Sequence, residues 1–445
     1  FTIKPLDEEL VKKCAEETGA IVTAENHSVY GGLGSAVAEY LGENDPTVVE
    51  RIGVRDEFGE VGSEEYLRGR FGFIPEKIAK RCKEKSMKRR LKMIYQNEYK
   101  FWFCPGSVDL YGDEEIRIVT EHSRRIVEEL NQSGLVPYEV VLKPTLLTNE
   151  NIRRTFNEAN ADKYCAGIIA WMHMFSPAKS WMLGLKELRK PLLHLHTQFN
   201  EEIPYDTLDM GFININQSAH GDREFAYMLA RMKKEHKIVV GHWKSERVQK
   251  KIGDWMRTAI GIIESGHLRV ARFADNMLNV ADTEGDKVEA QLKFGWEVDT
   301  YTIVEAAEAV NSVCGNDVKV LTDEYYEKYG IILEGRDPDE FRRHVEEQAR
   351  IELGIEKFLK EKNYQAVVTH FGQLGGLKQL PGLAMQRLMQ KGYGFAAEGD
   401  WKTAALLRIV KLMTAGVKNA KGTSFMEDYT YNLVPGKEGI LETHM

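Results

Sequence analysis

The sequence is poor in cysteine, and its few cysteines are not arranged for a common task. The 445 residues include five cysteines, an odd number, and no CxxC spacing occurs. A disulfide framework or a structural zinc site needs cysteines that are paired or clustered. The cysteine content therefore excludes both, and it predicts reduced thiols in a cytoplasmic protein.

Three other absences narrow the function classes. No apolar run approaches the roughly 18–20 residues that a membrane-spanning helix needs, and the first residues lack a signal-peptide pattern. The formal net charge is −8, so the charge balance predicts neither a nucleic-acid partner nor an anionic membrane surface. No GxGxxG spacing follows the first strand of the long α/β region, which disfavours a dinucleotide-dependent oxidoreductase.

The chain does contain a regular alternation of predicted strands and helices. Its length predicts about three domains, and 43% hydrophobic residues are ample for their cores. Residues 1–85 predict a small parallel α/β layer. Residues 99–243 predict a doubly wound parallel sheet, in which ligands bind beyond the carboxyl ends of the strands. Residues 244–395 predict a second α/β domain.

Several predicted elements bear on where a site would form. Strands are predicted at Cys165–Trp171, at Leu192–His196 and at Ala366–Thr369. Lys287–Phe294 alternates polar and apolar residues, which predicts a half-exposed strand. A helix is predicted from Lys402 to Ala415, because its apolar positions recur at helical spacing.

Two glutamates and a histidine flank that last helix. Glu398 precedes it, and Glu427 and His444 follow it. A helix of this length reaches about 20 Å, so the chain can leave and return to one rim. Two carboxylates and an imidazole that converge would form a site for a hard cation such as Mg²⁺ or Mn²⁺. The alternative interpretation is that the glutamates are surface charges or help to cap helices.

Two stretches near the start of the chain carry a family resemblance, FTIKPLDEELVKKCAEETGAIVTAENHSVYGGLGSAVAEYL and RIGVRDEFGEVGSEEYLRGRFGF. They resemble the C-terminal domain of the transketolase family. The resemblance implies a partial domain over residues 1–85 that begins inside the family's domain, so that an early strand and helix are missing. It implies a fold and no activity, since the cofactor chemistry of that family belongs to its preceding domains. Residues 86–98 are predicted to be a basic linker, with a nucleic-acid arm as the alternative.

Seven motifs in the remaining chain carry a second resemblance: AWMHMFSPAKSW, PLLHLHTQFN, NQSAHGDREF, DKVEAQLKFGW, GLKQLPGLAMQRLMQKGYGF, EGDWKTAALLRIVK and GTSFMEDYTY. By these motifs, about residues 93–445 resemble the L-arabinose isomerase family. The resemblance implies a cytoplasmic aldose–ketose isomerase that converts L-arabinose to L-ribulose. It also implies a hexameric homo-oligomer, and one Mn²⁺ per subunit, with Mg²⁺ or Co²⁺ as alternatives. The implied fold is two Rossmann-like domains followed by a β-rich C-terminal domain, here residues 396–445.

The same resemblance implies roles for particular residues. Glu398 and Glu427 would be metal ligands that also act as the catalytic acid and base, and His444 would be a third ligand. His196 would contact the substrate and act in ring opening or orientation; a structural histidine is the alternative. Weaker implied substrate contacts are Leu110, Met277 and Phe371. Asp400 and Trp401 are interpreted as supporting or packing residues.

The chain also departs from the family pattern. Val108 and Asp109 stand in GSVDLYG where the family has GSQHLYG, and the lost amide leaves the sugar preference open. The chain ends at Met445, which predicts that most of the third domain and a fourth ligand are missing. Two hypotheses therefore remain: an isomerase represented here by part of its chain, or a catalytically incomplete fusion that only binds sugar or partner subunits.

Overall fold

The structure, a computed structural model, describes residues 3–18, 20–44, 46–79, 81–82, 99–417, 420 and 422–443. It divides the chain into two compact units. One is Phe1–Glu98 with Leu130–Leu135, and the other is Tyr99–Glu129 with Val136–Met445. The greater part of the predicted basic linker and the predicted ligand His444 lie outside the described residues.

The first unit has a two-stranded parallel sheet flanked by helices. Its elements are α1 (Glu8–Thr18), β1 (Ala20–Ser28), α2 (Leu33–Asn44), β2 (Val48–Val54) and α3 (Glu64–Phe71). Strands β1 and β2 pair in parallel. Ala15, Val37 and Leu41 form its buried centre. The predicted parallel α/β layer is thus confirmed for this unit.

The first half of the second unit is a five-stranded parallel sheet in the order β4-β3-β5-β6-β7. The strands are β3 (Lys100–Gly106), β4 (Glu139–Leu142), β5 (Cys165–Met172), β6 (Leu192–His196) and β7 (Lys237–Val240). The helices are α4 (Asp113–Gln132), α5 (Asn149–Ala161), α6 (Met182–Glu187), α7 (Met210–Ile215), α8 (Ser218–Arg231) and α9 (Glu246–Ser265), with 3₁₀ turns at Asp109–Tyr111 and Ala178–Trp181.

This five-stranded sheet, called the first sheet below, is covered on both faces; the four-stranded sheet described next is called the second sheet. Every residue of β5 is buried. On one face Phe101 packs edge-on against Trp255 of α9, with ring centroids 5.2 Å apart. On the other, Trp181 packs edge-on against Phe225 of α8 at 5.1 Å. Parallel sheets need such cover, which is why β5 is an almost continuous apolar run.

The second half of this unit is a four-stranded parallel sheet in the order β11-β10-β8-β9. The strands are β8 (Arg269–Phe273), β9 (Glu297–Tyr301), β10 (Ala366–Val368) and β11 (Gly394–Ala396). The helices are α10 (Lys287–Phe294), α11 (Ile303–Asn311), α12 (Gly315–Lys328), α13 (Pro338–Lys362), α14 (Gly382–Lys391) and α15 (Trp401–Thr414), with a 3₁₀ turn at Ala281–Thr283. The α/β prediction is confirmed for this part as well.

The predicted strand at Lys287–Phe294 is wrong, because this segment is helix α10. Asp286 caps its start, accepting hydrogen bonds from the backbone of Val288 and Glu289. Gly295 ends it in the left-handed conformation, with φ +79°. An eight-residue segment with alternating polarity fits either structure, and the two caps decide for the helix. The edge strand is instead the next segment, β9.

The last described residues form an antiparallel hairpin of β12 (Glu427–Asn432) and β13 (Gly439–Thr443). Its residues are exposed except for Glu427, which is half-buried. Across residues 3–443, within the ranges that the structure describes, no helix is both long enough and apolar enough to cross a membrane.

Candidate active site

Glu398 lies just beyond the carboxyl end of β11 in a tight turn. Its φ of +63° is in the left-handed region, which is unusual for a residue with a side chain. Its carbonyl accepts a hydrogen bond from the Met277 backbone (2.9 Å). The next residue must be small, because a Cβ on Gly399 would lie 2.5 Å from Asn276 Cα. The turn therefore holds Glu398 against the loop that follows β8.

The residue that caps the following helix is Asp400. It accepts hydrogen bonds from the backbone of Lys402 (3.1 Å) and Thr403 (3.3 Å) at the start of α15. Lys402 Nζ lies 3.1 Å from Asp400 Oδ1. Asp400 is therefore the residue that caps α15. Glu398 does not cap this helix, and it is half-buried.

Glu427 opens strand β12 and is half-buried. Its Cα partner on β13 is Thr443, the residue immediately before His444 in the chain. Two residues before Glu427, the buried Phe425 packs edge-on against Phe395 of β11, with ring centroids 5.7 Å apart. This ring contact brings the segment that carries Glu427 to the strand that leads into Glu398.

A cavity of about 370 Å³ opens beside these segments, at the carboxyl ends of β10 and β11. Phe371, a predicted substrate contact, lines it and is 45% exposed. Polar groups in the wall are Gln348, Thr369 and Gln386. Its apolar wall is formed chiefly by Leu380, Pro381, Leu383, Met385, Met389, Phe395, Ala397 and Phe425. A mainly apolar pocket with a few polar groups is the usual form of a small-molecule site.

The structure thus places four predicted site residues around the carboxyl edge of the second sheet. Met277 and Glu398 are joined through the backbone, Phe371 lines the cavity, and Glu427 follows a cavity-lining residue. The other two described ones, His196 and Leu110, lie at the carboxyl edge of the first sheet. Leu110 lies in the 3₁₀ turn after β3 and is 74% exposed.

His196 ends β6 and belongs to a hydrogen-bonded chain of three side chains. His196 Nε2 and His194 Nδ1 are 2.8 Å apart, and His194 Nε2 is 2.8 Å from Asp222 Oδ1. The His194 side chain is fully buried, that of Asp222 is 7% exposed, and that of His196 is 22% exposed. Only the His196 end of the chain is substantially open.

Burial shifts the pKa values of all three groups. It lowers the pKa of His194 to about 3, with a smaller contribution from His236. It also lowers the pKa of His196, and the neighbouring His194 adds to the shift. Burial raises the pKa of Asp222 to about 7, against the opposing influence of His196. At neutral pH both imidazoles are therefore uncharged, and the Asp222 carboxyl is close to half-protonated.

Within the part of the chain that the structure describes, these residues are the one group of three or more His, Asp, Glu or Cys residues whose ligand atoms all lie within 4.8 Å of one another. The spacing is close enough for a metal ion. Both ring nitrogens of His194, however, already take part in 2.8 Å hydrogen bonds. An ion could bind His194 only by breaking one of them.

Besides His194 and His196, a second pair of histidines lies at the carboxyl edge of the first sheet. His122 Nδ1 and His173 Nε2 are 2.7 Å apart. His173 stacks on Trp171 with centroids 4.2 Å apart, and His122 stacks on Phe199 at 3.5 Å. Burial lowers the pKa of His122 to about 4 and that of His173 to about 3. The carboxyl edge of the first sheet is therefore lined by neutral imidazoles.

Sequence reasoning selected His196 and missed His194, Asp222 and the second pair. One signal for His194 was available, since residues i and i+2 of a strand point to the same face. Asp222 gave no local signal, because it lies 28 residues from His194 along the chain.

Two consecutive parallel sheets, with ionisable groups beyond the carboxyl ends of their strands, define the class of multidomain α/β proteins that bind ligands at strand ends. Three family models match the sequence itself. The N-terminal domain of L-arabinose isomerase matches residues 95–267, and its central domain matches residues 269–416. The transketolase C-terminal domain matches residues 1–78. The chain belongs to the L-arabinose isomerase family, and it carries a transketolase-type segment at its beginning.

Two relatives named L-arabinose isomerase support the assignment to that family. The chain is 54% identical over 353 residues to the L-arabinose isomerase of Geobacillus thermodenitrificans (strain NG80-2), covering 79% of this chain and 70% of the relative. The enzyme of Geobacillus stearothermophilus is 55% identical over the same shares. A solved structure titled split gene transketolase, inactive beta4 tetramer is 44% identical over 19% of this chain and 27% of its own, with a TM-score of 0.18.

Proposed function

We propose that this protein is an aldose–ketose isomerase that interconverts L-arabinose and L-ribulose. The observation that carries the proposal is the 54–55% identity to L-arabinose isomerases over 353 residues. The geometry supports it, because the segments of Glu398 and Glu427 and the side chain of Phe371 all lie at one cavity. No observation favours the alternative of a protein that only binds sugar or partner subunits.

We propose Glu398 and Glu427 as the acid–base pair. To convert the open-chain aldose, one carboxylate takes the proton from C2 and returns it to C1, while the other passes a proton between O2 and O1. The polar wall groups Gln348, Thr369 and Gln386 would accept and donate hydrogen bonds to the remaining hydroxyls. Phe371 and Met277 would form apolar walls against the carbon chain.

The residues present fit a divalent cation at this place. Two half-buried carboxylates, on segments joined by the Phe395–Phe425 contact, offer the oxygen ligands that hard cations prefer. We propose that Glu398, Glu427 and His444 hold Mn²⁺, with Mg²⁺ or Co²⁺ as substitutes. When bound, the cation polarises the carbonyl and hydroxyl oxygens of the sugar. A homo-hexamer and a cytoplasmic location are further proposals from family membership.

The sugar preference is a separate proposal. Val108 and Asp109 lie at the carboxyl end of β3, beside the exposed Leu110. Val108 offers no hydrogen bond to a hydroxyl, whereas the amide at this place in the family pattern does. We propose that this loop relaxes the discrimination between sugars at one hydroxyl, since a site that does not pair a hydroxyl cannot reject its absence.

The test is Mn²⁺-dependent formation of L-ribulose from L-arabinose by the wild-type protein and by Glu427→Gln. The variant keeps the shape of the side chain and removes its charge and basicity, so turnover should fall by at least about 10³-fold. Chelation of the metal by EDTA should stop wild-type turnover, and added Mn²⁺ should restore it. The matched control is Asp428→Asn, which neutralises the exposed neighbour on the same strand and should change turnover less than twofold.

A Glu427→Gln protein with near-normal turnover and an unchanged thermal midpoint would remove Glu427 from the mechanism. Wild-type turnover that survives metal chelation would remove the cation. Absence of any ketose from the wild-type protein with Mn²⁺ would overturn the proposed activity itself.

A further inference from the structure

The His196–His194–Asp222 chain has the form of a path for protons. Its two hydrogen bonds, both 2.8 Å, run in series through a single imidazole. An imidazole can pass a proton on, because it can accept at one nitrogen while donating from the other. His194 is fully buried with Phe225 packed edge-on against it at 4.7 Å, so no water competes for either nitrogen.

When the proton taken up by Asp222 lies on Oδ1, the two hydrogen bonds allow two arrangements of protons without a buried imidazolium. With Asp222 ionised, His194 donates from Nε2 to Asp222, and His196 donates from Nε2 to His194. The Nδ1 atom of His196 is then an unprotonated acceptor. With Asp222 protonated, every bond reverses, and both histidines carry their proton on Nδ1. The two arrangements differ by one proton, taken up at His196 Nδ1.

The His196 end is the one that is open to solvent. Its side chain is 22% exposed at the carboxyl end of β6, and Nδ1 lies 4.0 Å from Asp222 Oδ2, beyond a normal hydrogen bond. His236, just before β7, also lowers the pKa values of His194 and His196. Its own Nδ1 is hydrogen-bonded to the Lys234 carbonyl. The helix that carries Asp222 also has His220, which packs on Phe175, and Glu224, which accepts from the Ala178 backbone.

We propose that His194 and Asp222 are positioning residues that make His196 a general base, by relaying to Asp222 the proton that His196 takes from a sugar hydroxyl. The inference rests on the proposed function, in which the substrate is a cyclic sugar that must open. The anomeric O–H bond breaks, and its proton goes to His196 Nδ1. The His196 Nε2 proton moves to His194 Nδ1, and the His194 Nε2 proton moves to Asp222. The C1–O ring bond breaks as the carbonyl forms, and the ring oxygen takes a proton from water. The hydroxide ion that remains takes the proton back from His196 Nδ1, which returns Asp222 to its ionised form.

Two consequences follow for the dependence on pH. Burial raises the pKa of Asp222 to about 7, so the accepting arrangement forms as the pH rises through that value. Activity limited by ring opening should therefore rise through about pH 7. Both imidazoles should also change tautomer together at that pH, from Nδ1–H below it to Nε2–H above it.

The decisive experiment measures the tautomers directly in ¹⁵N-histidine-labelled wild-type protein between pH 5.5 and 8.5. The signals of His194 and His196 are assigned from the single variants His194→Gln and His196→Gln. We expect both rings to exchange the protonated nitrogen with one midpoint near pH 7. Tautomers that stay constant over this range, or an imidazolium signal from His194, would overturn the relay. Stoichiometric Zn²⁺ that shifts both rings would assign the cluster to a metal ion instead.

A second test of the relay compares the kcat, the KM and the pH profile of two variants with those of the wild-type protein. Asp222→Asn keeps a hydrogen-bonding group of the same shape but cannot take up the proton, so kcat should fall about 10²-fold and its rise near pH 7 should vanish, with little change in KM. The matched control His236→Gln removes a nearby imidazole that is not hydrogen-bonded to His196, His194 or Asp222, and the rise of kcat near pH 7 should remain. An unchanged pH profile in Asp222→Asn would refute the relay.

The two proposals fail separately. If the wild-type protein forms no L-ribulose, the proposed function fails, and the ¹⁵N titration still decides whether the relay exists. If L-ribulose forms but the tautomers do not switch, the isomerase stands and the relay falls.

Discussion

At the scale of single residues, Glu398 combines a proposed catalytic role with an unfavourable backbone conformation. A left-handed φ costs a residue with a Cβ roughly 1 kcal/mol or more compared with glycine. The turn is held by the Met277 backbone on one side and by the close approach of Gly399 on the other. Glycine would suit the position better, but it would carry no carboxylate.

This conformation predicts how two substitutions of Glu398 will differ. Both Glu398→Gly and Glu398→Ala remove the proposed acid–base group and should abolish isomerisation. Glu398→Gly should be more stable than Glu398→Ala by about 1 kcal/mol, because only glycine adopts φ +63° without strain. The measurement is the free energy of unfolding in urea. Equal stabilities would show that the turn relaxes once the side chain is removed.

At the scale of secondary-structure elements, the carboxyl edge of the first sheet collects imidazoles that are held neutral. Burial lowers the pKa to about 4 for His122 and to about 3 for His173 and His194, and that of His196 is also lowered. In the unfolded chain these groups take up protons below about pH 6.5. Their contribution to stability is therefore complete above that pH and is lost as the pH falls. Asp222 acts in the opposite direction over about pH 4–7, because its pKa is raised in the folded state.

The histidines outnumber Asp222, so the second unit should lose stability as the pH falls from 6.5 to 4. One buried histidine contributes a slope of about 1.4 kcal/mol per pH unit in this range. His173→Phe keeps an aromatic ring beside Trp171 and should reduce the slope by about that amount. The control His267→Gln changes an exposed histidine and should leave the slope unaltered. Urea unfolding at a series of pH values measures both, and an unchanged slope in His173→Phe would contradict the account.

At the scale of the whole molecule, the chain joins two units that match different protein families. The unit of residues 1–98 with 130–135 contains the transketolase match, and the other contains nearly all of both isomerase matches. We propose domains at residues 1–85, 99–243, 244–395 and 396–445, with a linker at 86–98. The buried centre of the first unit is small, whereas each sheet of the second unit has a large core.

Separate cores predict separate unfolding. Calorimetry of the whole chain should show two transitions, because each unit buries its own apolar residues. Added Mn²⁺ should raise the midpoint of only one of them, since a ligand stabilises only the unit that binds it. A single transition, or two that shift equally with Mn²⁺, would show that the units unfold together.

The sequence alone predicted the class of fold, the family and most of the strands that end at the site. Strand β5 was recognisable because a strand covered on both faces is an unbroken apolar run. The helix after Glu398 was recognisable by its period and lies at Trp401–Thr414. Both patterns are local, so they can be read from the sequence without knowing how the rest of the chain folds. The exception is the segment Lys287–Phe294, whose helix is decided by the local caps Asp286 and Gly295 and was missed because the alternating polarity was given more weight.

Only the tertiary structure decided what is brought together. Asp222 reaches His194 because the chain crosses from β6 to α8 and packs back on the sheet. Phe395 and Phe425 meet because α15 runs out from the second sheet and the chain then returns. Local periodicity determines which elements form, whereas burial shared by distant segments determines which side chains meet.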